Sequence, residues 1–497
     1  MRRGGIGTTL VFALGAAVLG CDDGKSGGSL VIVNNSGGGG GGNNNPGGGG
    51  NTQPGSFTLV KNDPGGGTIL ESADASTRKI AGVFKDDVLL EAKFKWILDA
   101  PVFIGDDSAT DTATITIQAG TTIYGRGGTP PSMLVIRRGS RILADGTAQQ
   151  PIVFTSNQPA GQRAPGDWGG LIINGRAPVN NMGPGGTLPV GEGGSGQYGG
   201  TDPNDDSGVL RYVRVEFAGH VFTSDDELNG IAFQGVGRGT VVDYIQVHRN
   251  ADDGVEFFGG TVDVKHVLIT GALDDSFDWT YGWQGRAQFV ILQQWDGGAD
   301  MGVEADNNET SNDLAPRSHG RISNMTIVGP AGTAGQSATG LLLRRGTAAN
   351  IANSIVMEMN GAGLDVDQNA TWNHAYSDAP GSYTVLSGNL TVRNCIFFNN
   401  GASGSTHFRD DAGEPQLDSV FNGQQSPANQ VGVDPQLGAP TSQSAPNFRP
   451  AAGGPAVQGV TWHDLGDPFF TPVTFIGAMG PNQADDWTAG WTTTAPN

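Results

Sequence analysis

The stretch DDGVEFFG at residues 252–259 recurs as DDSFDWTY at 274–281 and, in part, as DMGVEA at 300–305. In each copy, acidic residues precede a small residue, which is followed by apolar and acidic residues. Related segments begin at positions 230, 340 and 363, so that the series advances in steps of 24, 22, 26, 38 and 23 residues. A period in the low twenties, built from short β-type runs, is typical of a solenoid.

Repeat length and motif together select one kind of solenoid, because leucine-rich repeats have a similar length but their LxxLxLxxN spacing is missing here. A single coil cannot bury its own Val, Ile, Leu and Phe, so it must stack on the next coil at about 4.8 Å. Glycine and asparagine between the runs suit turns with positive φ. A propeller blade needs about 40 residues, which exceeds most of the observed steps. We predict an all-β chain: a right-handed parallel β-helix solenoid with a Gly/Asn-rich N-terminal tether and an irregular C-terminal cap.

The composition agrees with a turn-rich β protein. Glycine accounts for 82 of 497 residues, more than twice its usual share of about 7%. Only 15% of the residues are charged, and the formal net charge is −21. Nucleic acids are bound through clustered Lys and Arg, so this charge balance excludes a nucleic acid as partner.

The N-terminus has the pattern of an export signal. Arg2 and Arg3 precede an apolar stretch at 6–19, which is too short to span about 30 Å of hydrocarbon as a helix. It ends in VLGC at 18–21, which resembles the lipobox of bacterial lipoproteins. This resemblance implies lipidation of Cys21 and a membrane-anchored mature chain. A plain secretory signal with an incidental cysteine is the alternative. We expect a cell-envelope location, at the outer rather than the inner membrane.

Composition shifts divide the chain into five segments. They are a signal peptide at 1–20, a flexible linker at 21–56, a lead-in or cap at 57–94, the β-helix at 95–400 and a C-terminal capping region at 401–497. In the last segment we interpret Trp487 and Trp491 as anchors that cap the final coil. Sugar-stacking platforms are the alternative for both residues. Cys395 lies in a strand-like run and is predicted to be a buried, inert thiol.

Several further segments are distinctive in combination. They are PIVFTS at 151–156, GDWGGLIING at 166–175, GVLRYVRVEFAG at 208–219, residues 252–261 and 274–282, FIGAMG at 475–480 and DWTAGW at 486–491. Together they resemble a family of secreted and lipid-anchored parallel β-helix proteins of Gram-negative bacteria, which are pectin-lyase-like in fold. The resemblance extends from about residue 90 to the C-terminus. It implies a fold and a location, and no particular activity.

The acidic residues of the repeats form columns. Stacked carboxylates about 4.8 Å apart repel by about 3.5 kcal/mol at an effective dielectric of 20, so the columns should recruit a cation, bind a proton or splay into solvent. Oxygen ligands without His or Cys favour Ca²⁺. The predicted ligands are Asp252, Asp253, Glu256, Asp274, Asp275, Asp278, Asp300 and Glu304, and Asp365 continues one column. The alternatives are acidic turns that are solvated or bonded to backbone N–H groups, and catalytic carboxylates.

An enzymatic role is a further hypothesis. In polysaccharide lyases of similar fold, Ca²⁺ acidifies a uronate and an Arg or Lys removes the proton. The cationic candidates here are Arg249, Lys265, Arg286, Arg344 and Arg345. A glycosidase would instead use two carboxylates about 5–9 Å apart, for which Glu256 and Asp278 are candidates. The catalytic candidates are therefore Glu256, Asp278, Lys265 and Arg286.

Aromatic residues follow the second acidic repeat. Trp279, Tyr281 and Trp283 alternate, which places all three on one face of a strand. If that face points inward, these residues are core; if it points outward, they form a carbohydrate-binding strip beside a cation.

The sequence thus predicts a lipid-anchored envelope protein that is a structural or carbohydrate-binding module, with Ca²⁺ held by stacked carboxylates. The expected partners are the membrane, through the lipid anchor, and a polysaccharide. A Ca²⁺-dependent polysaccharide lyase or glycosidase is the alternative.

Overall fold

The computed structural model describes residues 56–108, 112–223, 226–295, 298–330 and 338–497. The predicted signal peptide, Cys21 and all but the last residue of the predicted linker lie outside these ranges. Within them, 28 strands form one sheet that winds in successive coils, which confirms the predicted all-β parallel β-helix. No helix in the described part of the chain has the length and hydrophobicity needed to cross a membrane.

The β-helix begins with a short antiparallel sheet. Its strands are Phe57–Asn62, Thr68–Ser72 and Thr77–Phe84. The third of these strands then pairs in parallel with Lys95–Ile104. Parallel pairing therefore begins at Thr77, inside the segment predicted as a lead-in or cap at 57–94.

Three parallel columns of strands form the coils, and we number them faces 1 to 3. Face 1 contains Leu134–Ile136, Leu171–Asn174, Ile231–Gln234, Val255–Phe258, Phe277–Thr280, Met301–Ala305, Thr339–Leu343, Leu364–Val366 and Phe408–Arg409. Each strand pairs in parallel with the next along the face. Because side chains alternate across a strand, each coil offers one set to the core and one set to the outer surface.

Faces 2 and 3 share five long strands. These strands are Gly208–Glu216, Val241–His248, Asp263–Thr270, Arg286–Gln293 and His319–Val328. Each bends at one residue with positive φ: Tyr212, Tyr244, His266, Phe289 and Asn324. This conformation is uncommon for aromatic residues. Here the rings stack between coils, with centroids 4.5 Å apart for Tyr212 and Tyr244 and 4.1 Å apart for Tyr244 and His266.

The remaining elements are short. Face 2 also contains Val88–Leu90, Thr114–Ile117, Arg141–Asp145, Ala348–Ala352 and Leu390–Arg393, and face 3 contains Thr122–Gly125, Ile152–Ser156, Ile355–Met357, Ile396–Phe398 and Gln430–Val431. Small hairpins pair Val190–Gly191 with Gly196–Gln197, His220–Thr223 with Asp226–Leu228, and Leu437–Ala439 with Asn447–Pro450. The helical elements are the α-helix Asn369–Ala375, the π-turn Ser419–Gln424 and the 3₁₀ turns Pro184–Gly186, Glu192–Gly194 and Gln483–Asp485.

The core is a stack of apolar side chains inside the coils. Phe233 and Phe257 occupy equivalent positions on neighbouring strands of face 1, with ring centroids 5.2 Å apart. Trp279 continues this column, and the Trp283 ring lies 5.4 Å from it. All four side chains are fully buried, so burial of aromatic surface contributes strongly to the stability of these coils.

A small residue at the start of each repeat is required by close packing between coils. A Cβ on Gly254 would lie 2.5 Å from a methyl group of Ile269 and 2.6 Å from the carbonyl oxygen of Ser276. A Cβ on Gly340 would meet the carbonyl oxygen of the next repeat's glycine, also at 2.6 Å. The repeated glycine therefore marks the same place in most coils of this face, and Ser276 occupies it in one.

Residues 410–432 cover the open end of the β-helix. The side-chain oxygen of Gln425 accepts the backbone N–H of Val392 at 3.2 Å, and that of Asn429 accepts the backbone N–H of Cys395 at 2.9 Å. These bonds satisfy edge groups that would otherwise pair with another chain. Cys395 is buried, as predicted, and burial raises the pKa of its thiol to about 12.

Residues 461–495, which we call the C-terminal strap, run back along the corner between faces 2 and 3. Side-chain amides of the coils hold the strap backbone through reciprocal pairs of hydrogen bonds. The pairs are Gln246 with Thr493 (both 2.8 Å), Gln288 with Thr471 (both 2.8 Å) and Asn353 with His463 (both 2.9 Å). The strap therefore covers the side of the β-helix over several coils.

The path of the strap corrects the expectation that Trp487 and Trp491 cap the final coil. Trp491 packs edge-on against Tyr212, with centroids 5.5 Å apart, and Trp487 packs against His266 at 5.4 Å. Both contacts lie far from the last coil because the chain turns back after the end has been covered. Trp491 is 1% exposed, which also excludes it as a sugar-stacking platform.

Candidate functional site

Face 1 aligns three carboxylates on consecutive strands. Glu256 pairs directly with Asp278, and Asp278 pairs directly with Glu304. Their neighbours Val255 and Phe257 point into the core, so the acidic side chains point outward. The vertical alignment expected from the repeat spacing is therefore present.

The turns before these strands add the other predicted ligands. Asp253 accepts the backbone N–H of Asp275 at 2.9 Å, and Asp275 accepts the backbone N–H of Met301 at 2.6 Å. These two carboxylates thus stack as a ladder in which each bonds to the backbone of the next coil. One oxygen of Asp253 and one oxygen of Asp275 therefore bond to backbone N–H groups, which was one of the alternatives for the acidic turns.

The oxygens of all eight predicted ligands form one continuous patch. In each of four groups, one oxygen from every residue lies within 4.8 Å of the others. The groups are Asp252 with Asp253 and Asp274, Asp253 with Glu256 and Asp278, Asp274 with Asp275 and Asp300, and Asp275 with Asp278 and Glu304. They line a pocket of roughly 480 Å³, which we call the acidic groove.

Burial and mutual repulsion disfavour ionisation in the acidic groove. Burial, followed by the charges of neighbouring carboxylates, raises the pKa of Asp252 and that of Asp275 to about 8. The same causes raise the pKa values of Glu256 and Asp278 well above the ordinary range. The Oδ1 atom of Asp278 is buried and has no hydrogen-bond donor among the described residues. The groove therefore holds more carboxylates than it can ionise without added positive charge.

Two arginines supply positive charge at one end of the groove. Arg344 pairs with Glu304 and, at 3.0 Å, with Asp306. Arg345 pairs with Asp306 at 2.7 Å. Within the described ranges, no basic side chain forms an ion pair with the two preceding carboxylates of the column. Direct ion pairs are thus confined to the Glu304 end, although the charge of Arg344 also opposes the rise in the pKa of Asp275 and Asp278.

The groove includes acidic residues that the repeat did not predict. Glu192 lies in the 3₁₀ turn Glu192–Gly194, within an insertion between two strands of face 1, so the repeat contains no signal for it. Glu227 lines the groove from the hairpin that pairs His220–Thr223 with Asp226–Leu228. Asp306 lies two positions after Glu304, and extending the alternation of that strand would have identified it.

The cationic candidates Lys265 and Arg286 do not line the groove. Both lie on face 2, where Lys265 donates to the Thr471 hydroxyl at 3.1 Å and Arg286 pairs with Asp467 at 2.7 Å. These partners belong to the C-terminal strap, so the two side chains hold the strap on face 2. This placement removes them as catalytic partners of the carboxylates. Arg249 is likewise not part of the groove lining.

The alternating aromatic residues do not share one face. Trp279 and Trp283 are fully buried in the core, whereas Tyr281 is half-buried and lines the groove. Tyr281 has a φ of 49°, so the strand alternation ends there. The inward interpretation therefore holds for the two tryptophans, and these three residues do not form an outward strip.

Comparison with protein families finds one match that covers most of the chain. The family model described as a pectate-lyase-like β-helix domain matches residues 82–442. No curated protein and no solved structure matches the chain. The matched residues include every strand of face 1 that carries the acidic groove.

Proposed function

We propose that this chain, which belongs to the pectate-lyase-like β-helix family, binds divalent cations in the acidic groove and uses them to hold an anionic carbohydrate. Family membership suggests a carbohydrate-related role for the β-helix as a whole. The cation, the carbohydrate class and the location are the specific parts of this proposal.

The observation that carries the cation proposal is the environment of Asp278. Asp278 belongs to two of the four oxygen groups, and its Oδ1 is buried without a hydrogen-bond donor in the described structure. An ionised carboxylate that is buried without a counter-charge costs several kcal/mol. A cation between Asp253, Glu256 and Asp278 would remove this cost, and a second one could be shared with Asp275 and Glu304.

Ca²⁺ is the proposed ion because of the donor chemistry. Ca²⁺ takes six to eight oxygen ligands at about 2.3–2.6 Å in flexible geometries, whereas Zn²⁺ prefers nitrogen and sulfur. The lining of the groove offers carboxylate oxygens and contains neither His nor Cys. A bound Ca²⁺ would supply positive charge that can join protein carboxylates to the carboxylate of an acidic sugar.

The groove's own side chains fit an acidic sugar beside the cation. The half-buried Tyr281 offers a partly exposed ring edge or face to a sugar. Arg345 lines the same groove, and its side chain is 30% exposed, so it remains accessible to a second anionic group. An acidic polysaccharide is therefore favoured over a neutral one in this groove.

Polysaccharide binding can be tested with immobilised polygalacturonate, with dextran as the neutral control. The protein should bind polygalacturonate in Ca²⁺ and be released by a chelator, because the cation joins the two sets of carboxylates. Asp278→Asn should weaken this binding by at least about tenfold. Asp145→Asn, which changes an exposed carboxylate on face 2, should leave it intact. Equal binding with and without chelator would contradict the proposal.

A Ca²⁺-dependent lyase is the second candidate, and one observation favours it. Arg344 lines the groove among the carboxylates, and burial, followed by the charge of Arg345, lowers its pKa. An arginine with a lowered pKa is better suited to accept a proton. Incubation with polygalacturonate and alginate would reveal the lyase through unsaturated chain ends. Binding without such products would support a binding module and contradict the lyase.

We also propose that the mature chain is anchored to the cell envelope through Cys21. The support is the lipobox-like sequence that ends at this residue, preceded by a short apolar stretch. The wild-type protein should fractionate with membranes and incorporate labelled palmitate. Cys21→Ser should do neither. A wild-type protein that is secreted without label would contradict the anchor while leaving the groove proposal untouched.

A further inference from the structure

A second pocket lies near the C-terminal end of the β-helix, away from the acidic groove. It is bounded by the α-helix Asn369–Ala375, the loop that follows it and the π-turn Ser419–Gln424. Its volume is roughly 660 Å³, which is within the range of pockets that hold small molecules. None of the residues of the acidic groove lines it.

Two buried polar atoms in this pocket lack partners. Tyr376 is 4% exposed, and its hydroxyl lies beside Gln424 without hydrogen-bond geometry. The Oδ1 atom of Asn373 is also buried and has no donor within the described ranges. A buried polar atom without a partner costs about 1–3 kcal/mol, so such atoms in a pocket indicate a ligand with hydroxyl or amide groups.

An aromatic wall accompanies these polar atoms. The half-buried Tyr383 ring lies 5.3 Å from the Tyr376 ring, and its hydroxyl donates to the side-chain oxygen of Asn369 at 3.2 Å. Trp372 lies behind both tyrosines, and its indole N–H donates to Glu414 at 2.8 Å. The ring of Tyr383 is thus held in place at the pocket, where it offers a surface for an apolar ring face.

The charge of the lining distinguishes this pocket from an anion site. No Lys or Arg of the described chain lines it, and Glu414 is its only carboxylate. An anionic ligand would meet Glu414 without a compensating cation. A ligand with hydroxyl groups and an apolar ring face, and without charge, fits both the amides and the tyrosine.

We propose that the pocket formed by Asn369, Asn373, Tyr376, Tyr383, Glu414 and Gln424 binds a neutral sugar residue. Tyr383 stacks on the sugar ring, and the Tyr376 hydroxyl and the Asn373 amide bond to its hydroxyl groups. This site requires no metal ion and is independent of the acidic groove.

The test is a calorimetric titration of the folded protein with cellohexaose, xylohexaose, mannohexaose and chitohexaose in the presence of a chelator. At least one of these neutral oligosaccharides should bind. Tyr383→Ala should weaken that binding about tenfold, which corresponds to the loss of one aromatic contact. Val385→Ala is the matched control, because Val385 is exposed in the same loop and does not line the pocket.

Two further variants keep the test independent of folding. Tyr383→Phe retains the ring and should bind nearly as well as the wild type, whereas Asn373→Ala should bind more weakly, and thermal melting verifies that each variant is folded. The proposal is overturned if none of the four sugars binds, or if Tyr383→Ala and Asn373→Ala bind as the wild type does. The chelator separates this outcome from that of the acidic groove, which needs a cation.

Discussion

Asp278 and Asp365 occupy the same column of face 1, yet their charges are compensated differently. Each leaves its Oδ1 buried without a hydrogen-bond donor in the described structure. Asp365 is paired in register with Arg409, whose Nε donates to it at 2.7 Å. Asp278 is instead flanked by Glu256 and Glu304.

The pKa values of the two carboxyl groups follow this difference. Burial raises the pKa of Asp365 only to about 6, because the positive charge of Arg409 opposes the rise. Burial and the neighbouring Asp275 raise the pKa of Asp278 well above its ordinary range. The comparison teaches that the coil stacking alone does not create a cation site. We propose a bound cation at Asp278 because no basic side chain of the described chain forms an ion pair with it, and Asp365, which is paired with Arg409, is the matched internal control.

The largest effect should follow from breaking the Asp365 pair. Arg409→Met should lower the free energy of unfolding by about 2 kcal/mol, which is less than for a fully buried pair because Arg409 is partly exposed. The double variant Asp365→Asn/Arg409→Met should recover most of this loss. Denaturant unfolding measures both values. Arg141→Met, in the exposed pair with Asp206, should cost under about 1 kcal/mol. If Arg409→Met and Arg141→Met lowered the free energy of unfolding equally, the buried Asp365 would not depend on the positive charge of Arg409.

The second prediction concerns pH in the cation-free protein. Burial and neighbouring carboxylates raise the pKa values of Glu192, Asp252 and Asp275 to about 8, so the native state binds protons before the unfolded state does. Stability should therefore increase by about 1–2 kcal/mol as the pH falls from about 8.5 to about 6.5.

The upper part of this pH range gives the cleanest measurement. Burial lowers the pKa of His248 to about 4, so protonation of the unfolded state opposes the gain below about 6.5. Thermal melting in chelator across the range measures the effect. Saturating Ca²⁺ should abolish the increase, because the cation replaces the protons. If the protein in chelator instead became less stable as the pH was lowered from about 8.5 to about 6.5, the assignment of raised pKa values would be contradicted.

The same substitution should act in opposite directions at the two column positions. Asp278→Asn, measured without cations at about pH 8, should raise the free energy of unfolding by about 1 kcal/mol because it removes a carboxyl group whose ionisation the native state disfavours. Asp365→Asn should lower it by about 1 kcal/mol because Arg409 loses its partner. Denaturant unfolding of both variants in chelator gives the signs. Destabilisation of similar size in both would remove the distinction between the two residues.

The smallest predicted effect concerns the end of the groove where arginine side chains already pair with the carboxylates. Arg344→Gln should free Glu304 for an added ion and strengthen Ca²⁺ binding about threefold, or about 0.6 kcal/mol. Arg345 remains paired with Asp306, so the groove should keep its shape. Calorimetric titration measures the change. Weaker Ca²⁺ binding by this variant would show that Arg344 supports the cation site instead of competing with it.

The register of the groove was predictable from the sequence because steric close packing fixes one residue in each coil. A Cβ on the glycine that starts a repeat would clash with the neighbouring coil, as at Gly254, so this position accepts only a small residue, glycine in most coils and Ser276 in one. Positions counted from it therefore stack, and all eight predicted carboxylates lie in one groove.

The contacts across insertions were not predictable from the repeat. Arg409 reaches Asp365 from 44 positions away, across the segment that contains the α-helix, and Glu192 enters from an insertion of its own. The C-terminal strap follows no repeat at all. Its path depends on side-chain amides such as Gln246 and Gln288, which look like ordinary polar residues in a strand sequence.

Calorimetric titration of Ca²⁺ into wild type, Asp278→Asn and Asp365→Asn at constant pH tests the account most directly. The wild type and Asp365→Asn should bind Ca²⁺ with a Kd of about 10⁻⁴–10⁻³ M or tighter, the range of extracellular calcium modules. Asp278→Asn should bind at least about tenfold more weakly, because one ligand shared by two oxygen groups is lost. No binding by the wild type, or equal affinity in all three proteins, would contradict the account.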